Sequence, residues 1–242
     1  MLFAAKVRSF RSCLHFKLQI RTKNSGQPLN GRFDFFISCS TYIQYAIQMD
    51  STEFKRLKEL IKNESNHGLP DGLFARLLDN MQEIRLKAND VLTKYGKTDD
   101  NLYLISSGII RCHYFDGENE KIYGFAAPGS IITSYHSFYA GLPSIWQTES
   151  CGNSVVLKTG KDKVEKMIHE SHEFAIWMLS LSLGQLFANE MKLSIINGSA
   201  KEKYKSLIEN RPEIAREVQL KDIAAYLGVT PAYLSRLRKK DL

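Results

Sequence analysis

Apolar residues change their spacing twice along this chain, and each change marks a boundary. Phe54, Leu57, Leu60 and Ile61 recur at a helical period, behind Ser51 and Thr52 as expected caps. Asp71 is expected to cap a second short helix carrying Phe74, Leu77, Leu78 and Met81. The period then shortens to two, through Ile84, Leu86 and Val91, then Leu102, Leu104, Ile109 and Cys112. Turn-forming residues interrupt it at 94–100, 106–108, 116–119 and 128–129, and strand character returns over 146–157. Many short strands with regular breaks predict a small antiparallel barrel or jelly roll.

The helical period comes back for the rest of the chain. Residues 161–168 read as a short helix and His172–Ile196 as a long one. Along the latter, Trp177, Leu181, Gly184, Ala188, Met191 and Ile195 alternate at spacings of four and three, a heptad seam. Gly184 and Ala188 would let two helix backbones approach closely, so this seam is the expected dimerisation surface. Leu183, Leu186 and Phe187 form a second apolar stripe. One stripe can pack on the barrel while the other meets a second subunit; burial of both within one subunit is the alternative. Asn197, Gly198 and Ser199 read as a hinge, and a helix over 201–209 leads through Arg211 and Pro212 to the terminal segment.

That segment, VQLKDIAAYLGVTPAYLSRLRKKDL, carries the clearest chemistry. Leu220, Ile223, Ala224 and Leu227 share one helical face. Gly228 can leave the helix with φ > 0. Val229 plugs the corner, Thr230 is an N-cap, and Pro231 sits at the first helical position, where its missing N–H costs nothing. Leu234 and Leu237 supply the buried face of the second helix. Crossing helices need a small residue at their contact, and Ala224 fits. The outer face of the second helix offers Tyr233, Ser235, Arg236, Arg238, Lys239 and Lys240. This is the pattern of a helix-turn-helix whose second helix reads a major groove, with Thr230 and Pro231 at its leading end. A capped helical hairpin with a solvated basic end is the plainer alternative.

Composition sharpens this picture. The 242 residues carry a net charge of +7, unevenly spread: residues 1–48 hold +6, 49–200 hold −3 and 201–242 hold +4. A basic end on a near-neutral body suits a polyanion. Cys13, Cys39, Cys112 and Cys151 lack metal-ligand spacing, so zinc and iron–sulfur sites are not expected and the thiols read as free, in a reducing cytoplasm. No apolar run reaches the roughly 18–20 residues of a membrane span. Residues 1–48 have no acid before Asp34 and resemble a transit peptide in composition; translation from Met49, with the first 48 residues as upstream sequence, is the expectation.

The order of elements resembles the Crp/Fnr family of bacterial transcription regulators from about Met49 to Leu242. NLYLISSGIIRCHYFDGENEKIYGFAAPGSII is similar to that family's β-roll, with Tyr103, Gly108 and Gly129 in the usual places. DIAAYLGVTPAYLSRLRKK looks most like the branch of Bacteroidetes-type bacteria, often not tied to cyclic AMP. The resemblance implies an α+β fold: an N-terminal antiparallel, cupin-like β-roll over 49–170, a dimerisation helix and hinge over 171–198, and a DNA-binding helix-turn-helix over 199–242. Two departures matter. Members that bind cyclic nucleotides place Glu after the glycine where this chain has Ser130, and an Arg further on; no Lys or Arg occurs from Ile122 to Leu157. They also place Arg-Glu at Pro231-Ala232, whereas Arg236 matches their second reading arginine. The clustered cysteines of oxygen sensors in the family are missing.

The expected function is therefore a homodimeric, sequence-specific regulator without cofactor or metal, binding double-stranded DNA at an inverted repeat and not responding to cyclic AMP. Arg236 would read guanine, Tyr233 and Ser235 would touch phosphate or a thymine methyl, and Arg238, Lys239 and Lys240 would hold phosphate. RNA polymerase is a further candidate partner, and the effector is open. Two other classes compete: a small-molecule sensor whose terminal domain contacts protein, and a cupin-type metalloenzyme. The last needs converging histidines, and only His113 and His136 lie in the roll, so an enzyme is not expected.

Overall fold

The structure, a computed structural model, describes residues 51–116, 119–196 and 198–240; the side chains of 115, 116, 119, 120, 193–196 and 240 are outside that description. The basic leader, the start at Met49, Cys13, Cys39 and Asn197 of the hinge lie outside the described residues.

Two helices open the described chain, α1 (Ser51–Ile61) and α2 (Asp71–Asp79), with a 3-10 turn at Lys62–Glu64 between them. Asp71 does not cap α2: Pro70 holds that position, and Asp71 is the first helical residue, ion-paired to Lys58. Eight strands follow: β1 (Gln82–Leu86), β2 (Val91–Thr93), β3 (Asn101–Ser107), β4 (Ile110–Asp116), β5 (Asn119–Ala126), β6 (Ile131–Thr133), β7 (Trp146–Ser150) and β8 (Ser154–Gly160), with a one-turn helix α3 (Tyr135–Phe138) after β6. They form two antiparallel sheets, ordered β1-β8-β3-β6 and β2-β7-β4-β5, which together make the expected β-roll.

Strict alternation fails at β3. Leu102 and Leu104 join the helical core on one side, while Tyr103 and Ile105 join the inter-sheet core on the other. A strand covered on both faces has no solvent side to mark with polar residues. The helical core also takes Leu57, Phe74, Leu77, Leu157 and Met167, so α1, α2 and α4 (Lys161–Glu170) cover the first sheet.

The long helix α5 is His172–Ile196. Then come α6 (Ala200–Asn210), α7 (Pro212–Glu217), α8 (Leu220–Leu227) and α9 (Pro231–Lys240). Ser199 opens α6 with a capping box: its hydroxyl accepts from the Glu202 N–H, and the Glu202 carboxylate accepts from the Ser199 N–H. These last four helices close on a core of their own, built from Tyr204, Leu207, Ile214, Val218, Ile223, Leu227 and Leu234, and Ile109 of the roll reaches into it.

Candidate nucleic-acid interface and roll cavity

Helices α8 and α9 meet through a three-residue turn. Gly228 takes φ +71°, the left-handed conformation that lets the chain leave α8. Val229 N–H then donates to the Ala224 carbonyl at 2.9 Å, satisfying a terminal acceptor. Val229 packs on the terminal core, while Ile223, Ala224 and Leu234 are completely buried in it. Thr230 caps α9 as expected, its hydroxyl accepting from the Tyr233 N–H at 3.2 Å. The second helix is thus held by a buried stripe of Leu234 and Leu237.

On its outer face, Pro231, Ala232, Tyr233, Arg236 and Lys239 are exposed, and Ser235 is half-buried. Arg238 departs from the expected set. Its guanidinium turns inward, donating to the Ala215 carbonyl at 3.2 Å and lying 5.5 Å from the centre of the Tyr204 ring. The side chain ties α9 to α6 and α7, and is spent there rather than on phosphate. The side chain of Lys240 lies outside the described residues.

The terminal helices dock on the roll through a buried charge cluster. Arg111 on β4 donates to Asp222 of α8 at 3.0 Å, to Glu149 of β7 at 2.6 Å and to Asn89 at 3.0 Å. Burial opposes the Arg111 charge, and the two carboxylates more than offset it, leaving the guanidinium pKa raised. Beside them, the Phe125 and Tyr226 rings meet edge to face at 5.7 Å. Nothing in the sequence pattern paired residue 111 with residue 222.

The seam expected on α5 is divided by the structure. Trp177 and Leu181 are buried in the protein's own helical core. Gly184 does permit a close backbone approach, but the neighbour is internal: a Cβ there would lie 2.9 Å from the Glu64 carbonyl oxygen. These three positions face inward and are occupied. Ala188 and Met191 are exposed, and the side chain of Ile195 is outside the described residues. The apolar surface left open is the other stripe: Leu179, Leu183, Leu186 and Phe187 are 56–64% exposed.

Between the roll and α5 lies a cavity of about 970 Å³. Its roll side includes Thr93, Cys112, Tyr123, Gly124, Ser130, Ile132, Trp146 and Thr148; its helix side includes Leu183, Gln185, Ala188, Asn189 and Lys192. Where the resemblance implied a bare hydroxyl at Ser130, the structure adds a carboxylate from far away in sequence. Glu64, 7% exposed, accepts from the Ser130 hydroxyl at 3.2 Å, Gln185 at 3.4 Å and Arg211 at 3.1 Å. The segment 122–157 lacks cations, but the cavity does not. Lys192, the one Lys or Arg of α5, brings its ammonium 4.2 Å from the centre of the Tyr123 ring. Sequence spacing missed it because Lys192 lies some seventy residues after Tyr123 and reaches the roll from another element; its being the one Lys or Arg of α5 was the available signal. Cys112 lines the same cavity, and burial pushes its thiol up to about 11, so it stays protonated at neutral pH. His113 and His136 do not share a site: His113 is buried 3.5 Å from Glu149, and half-buried His136 contacts the Pro143 carbonyl. Among the described residues, no three His, Cys, Asp or Glu side chains converge as metal ligands would. No helix among them is long and apolar enough to cross a membrane.

Comparison with known proteins agrees with this architecture. Residues 83–171 match the cyclic nucleotide-binding domain family. Among solved structures, the chain is similar to FixK2 from Bradyrhizobium japonicum, with 17% identity and TM-score 0.57 over 66% of this chain and 83% of that one. It is similar to a CooA mutant from Carboxydothermus hydrogenoformans, at 17% identity and TM-score 0.53 over 68% of this chain and 78% of that one. It is also similar to CLP from Xanthomonas campestris, described as a c-di-GMP-responsive global regulator, at 13% identity and TM-score 0.53 over 71% and 91%. At these identities the likeness is one of fold. No curated protein matches the chain.

Proposed function

We propose that this protein is a homodimeric, sequence-specific DNA-binding transcription regulator whose β-roll senses something other than a cyclic nucleotide. The observation that carries the reading is the outer face of α9: Tyr233, Arg236 and Lys239 stand exposed on a helix whose opposite stripe is locked into the terminal core. A short, rigid helix with a free N-terminal half and a bidentate donor is what major-groove reading requires. Arg236 reads guanine, Tyr233 and Ser235 meet phosphate or a thymine methyl, and Lys239 holds phosphate. One reading helix per chain and a two-fold dimer imply an inverted repeat with half-sites about 10–10.5 bp apart.

The dimer forms through the exposed stripe of α5, from Leu179 to Phe187. The roll does not take cyclic AMP, because its own segment from Ile122 to Leu157 offers no Lys or Arg to hold the cyclic phosphate.

The test is binding of wild type, Arg236→Ala and Lys239→Ala to a selected operator and to scrambled duplex across a salt series. Arg236→Ala should cost roughly 1–3 kcal/mol on the operator and relax preference at one base pair per half-site. Lys239→Ala should weaken all duplexes alike and flatten the salt dependence by about one phosphate contact. Full sequence preference in Arg236→Ala would remove the reading role. A wild type that binds neither duplex at low salt would replace DNA with a protein partner.

A further inference from the structure

The cavity between the roll and α5 is polarised. At one end sits the buried Glu64 carboxylate, ion-paired to the Arg211 guanidinium at 3.1 Å and hydrogen-bonded by Ser130 and Gln185. At the other sits the Lys192 ammonium, over the Tyr123 ring and 3.2 Å from the place a Cβ on Gly124 would occupy. Gln185 and Lys192 are seven residues apart on one helix, so their backbone positions lie about 10 Å apart along its axis. Among the described residues no carboxylate pairs with Lys192. Lys192 is exposed over its length, and partial desolvation, together with the Arg211 guanidinium, lowers its pKa. Beside it, the Asn189 side-chain oxygen accepts from the Tyr123 hydroxyl at 2.6 Å. The walls between the ends are largely apolar and aromatic, with the Tyr123 and Trp146 rings 5.6 Å apart.

We infer that this cavity binds an organic monoanion with an apolar body, its charged head on Lys192 and its body directed toward the Ser130 end. The inference rests on the reading of the roll as a sensor and names the class of its ligand. Pairing decides the orientation: at the Glu64 end carboxylate and guanidinium already answer each other, so an anionic head there would have to displace Glu64 from Arg211, whereas at the Lys192 end it supplies the counter-charge that the ammonium lacks. Charge also decides the valence. One uncommitted cation suits a single negative charge, whereas a dianion would leave half its charge desolvated and unpaired. Apolar walls with one fixed polar anchor are the usual composition of a small-molecule site.

The experiment uses two fluorescent probes of nearly equal shape. 8-Anilinonaphthalene-1-sulfonate is a monoanion, and N-phenyl-1-naphthylamine is its neutral counterpart. Each is titrated into the full chain without DNA, as wild type, Lys192→Met and Lys192→Arg. The expected result is at least about ten-fold tighter binding of the anion than of the neutral probe by wild type. Lys192→Met should abolish that preference and keep the neutral affinity; Lys192→Arg should retain it. Cyclic AMP should displace neither probe. Equal affinities in wild type, or a preference that survives Lys192→Met, would overturn the monoanion while leaving the sensor reading in place. Failure of both probes to bind would overturn both. The operator measurements are made without ligand, so their outcome is independent of this one.

Discussion

Glycine 228 and glycine 129 both adopt positive φ, and they show how differently one residue type can be constrained. Gly228 has φ +71° with open space where a Cβ would stand. Gly129 has φ +92°, and a Cβ there would lie 2.7 Å from the Leu60 Cβ and 3.0 Å from the Leu60 carbonyl carbon. Gly228→Ala should therefore cost only the backbone term, about 1 kcal/mol. Gly129→Ala must add displacement of α1 from the roll, and should cost about 1–3 kcal/mol more. Chemical denaturation of the two variants checks the ranking; equal losses would mean that α1 yields freely. At this scale the sequence was legible wherever the argument is local. Gly228, Thr230 and Pro231 take the roles that turn and cap chemistry assigns. Arg238 was not legible, because its partners at Ala215 and Tyr204 come from other helices. Lys192 and Glu64 were hidden for the same reason: the cavity is assembled from residues that only the tertiary fold brings together.

The long helix α5 poses the same question for an element. Two apolar stripes were visible in its sequence, but periodicity alone does not say which one faces inward. Burial decides: Trp177 and Leu181 belong to the core, whereas Leu179, Leu183, Leu186 and Phe187 stay exposed. The heptad seam through Trp177 is present because a helix buried against its own protein's core also hides positions three and four apart. Leu183→Glu and Leu181→Glu therefore have different expected outcomes. Leu183→Glu should leave a folded monomer, since it places a charge on the exposed stripe proposed as the subunit interface, at the rim of the cavity and outside the core. Leu181→Glu should instead lower the unfolding temperature, because the charge enters the protein's own core. Sedimentation velocity with circular dichroism separates them; a Leu183→Glu protein that remains dimeric would move the interface off this stripe. The strands teach a related lesson. Their existence and breaks followed from period two and turn residues, but β3 is apolar on both faces because helices cover one and the second sheet covers the other.

Over the whole molecule, what matters is how the roll holds α9, the proposed reading helix. Helix α9 stands on α8, and α8 is fixed to the roll by Asp222 and Tyr226. The fixing strand is thin: Arg111 turns to Asp222, while the next residue, Cys112, lines the cavity. Phe125 and Tyr226, which form the aromatic docking contact, also line the cavity, so cavity and docking surface share residues. A ligand that shifts β4 would reach α8 without an intermediate element, and the coupling would be reciprocal, with DNA altering ligand affinity by the same factor. The seam depends on Arg111, whose side chain is 14% exposed beside Glu149 and Asp222 at 12% and 11%. Arg111→Met leaves two buried carboxylates facing each other without a cation, and should destabilise by about 3–5 kcal/mol. Asp222→Asn keeps an amide oxygen for Arg111 and leaves Arg111 paired with Glu149, so its cost should stay near 1–2 kcal/mol. The loss should be local as well as global. Hydrogen exchange in Arg111→Met should quicken in α8 and α9 before it quickens in β3 and β8, which lie in the other sheet. Unchanged protection of α8 and α9 would show that the terminal helices hold their place through Ile109 and the aromatic contact alone, and that the charge cluster carries no part of the coupling.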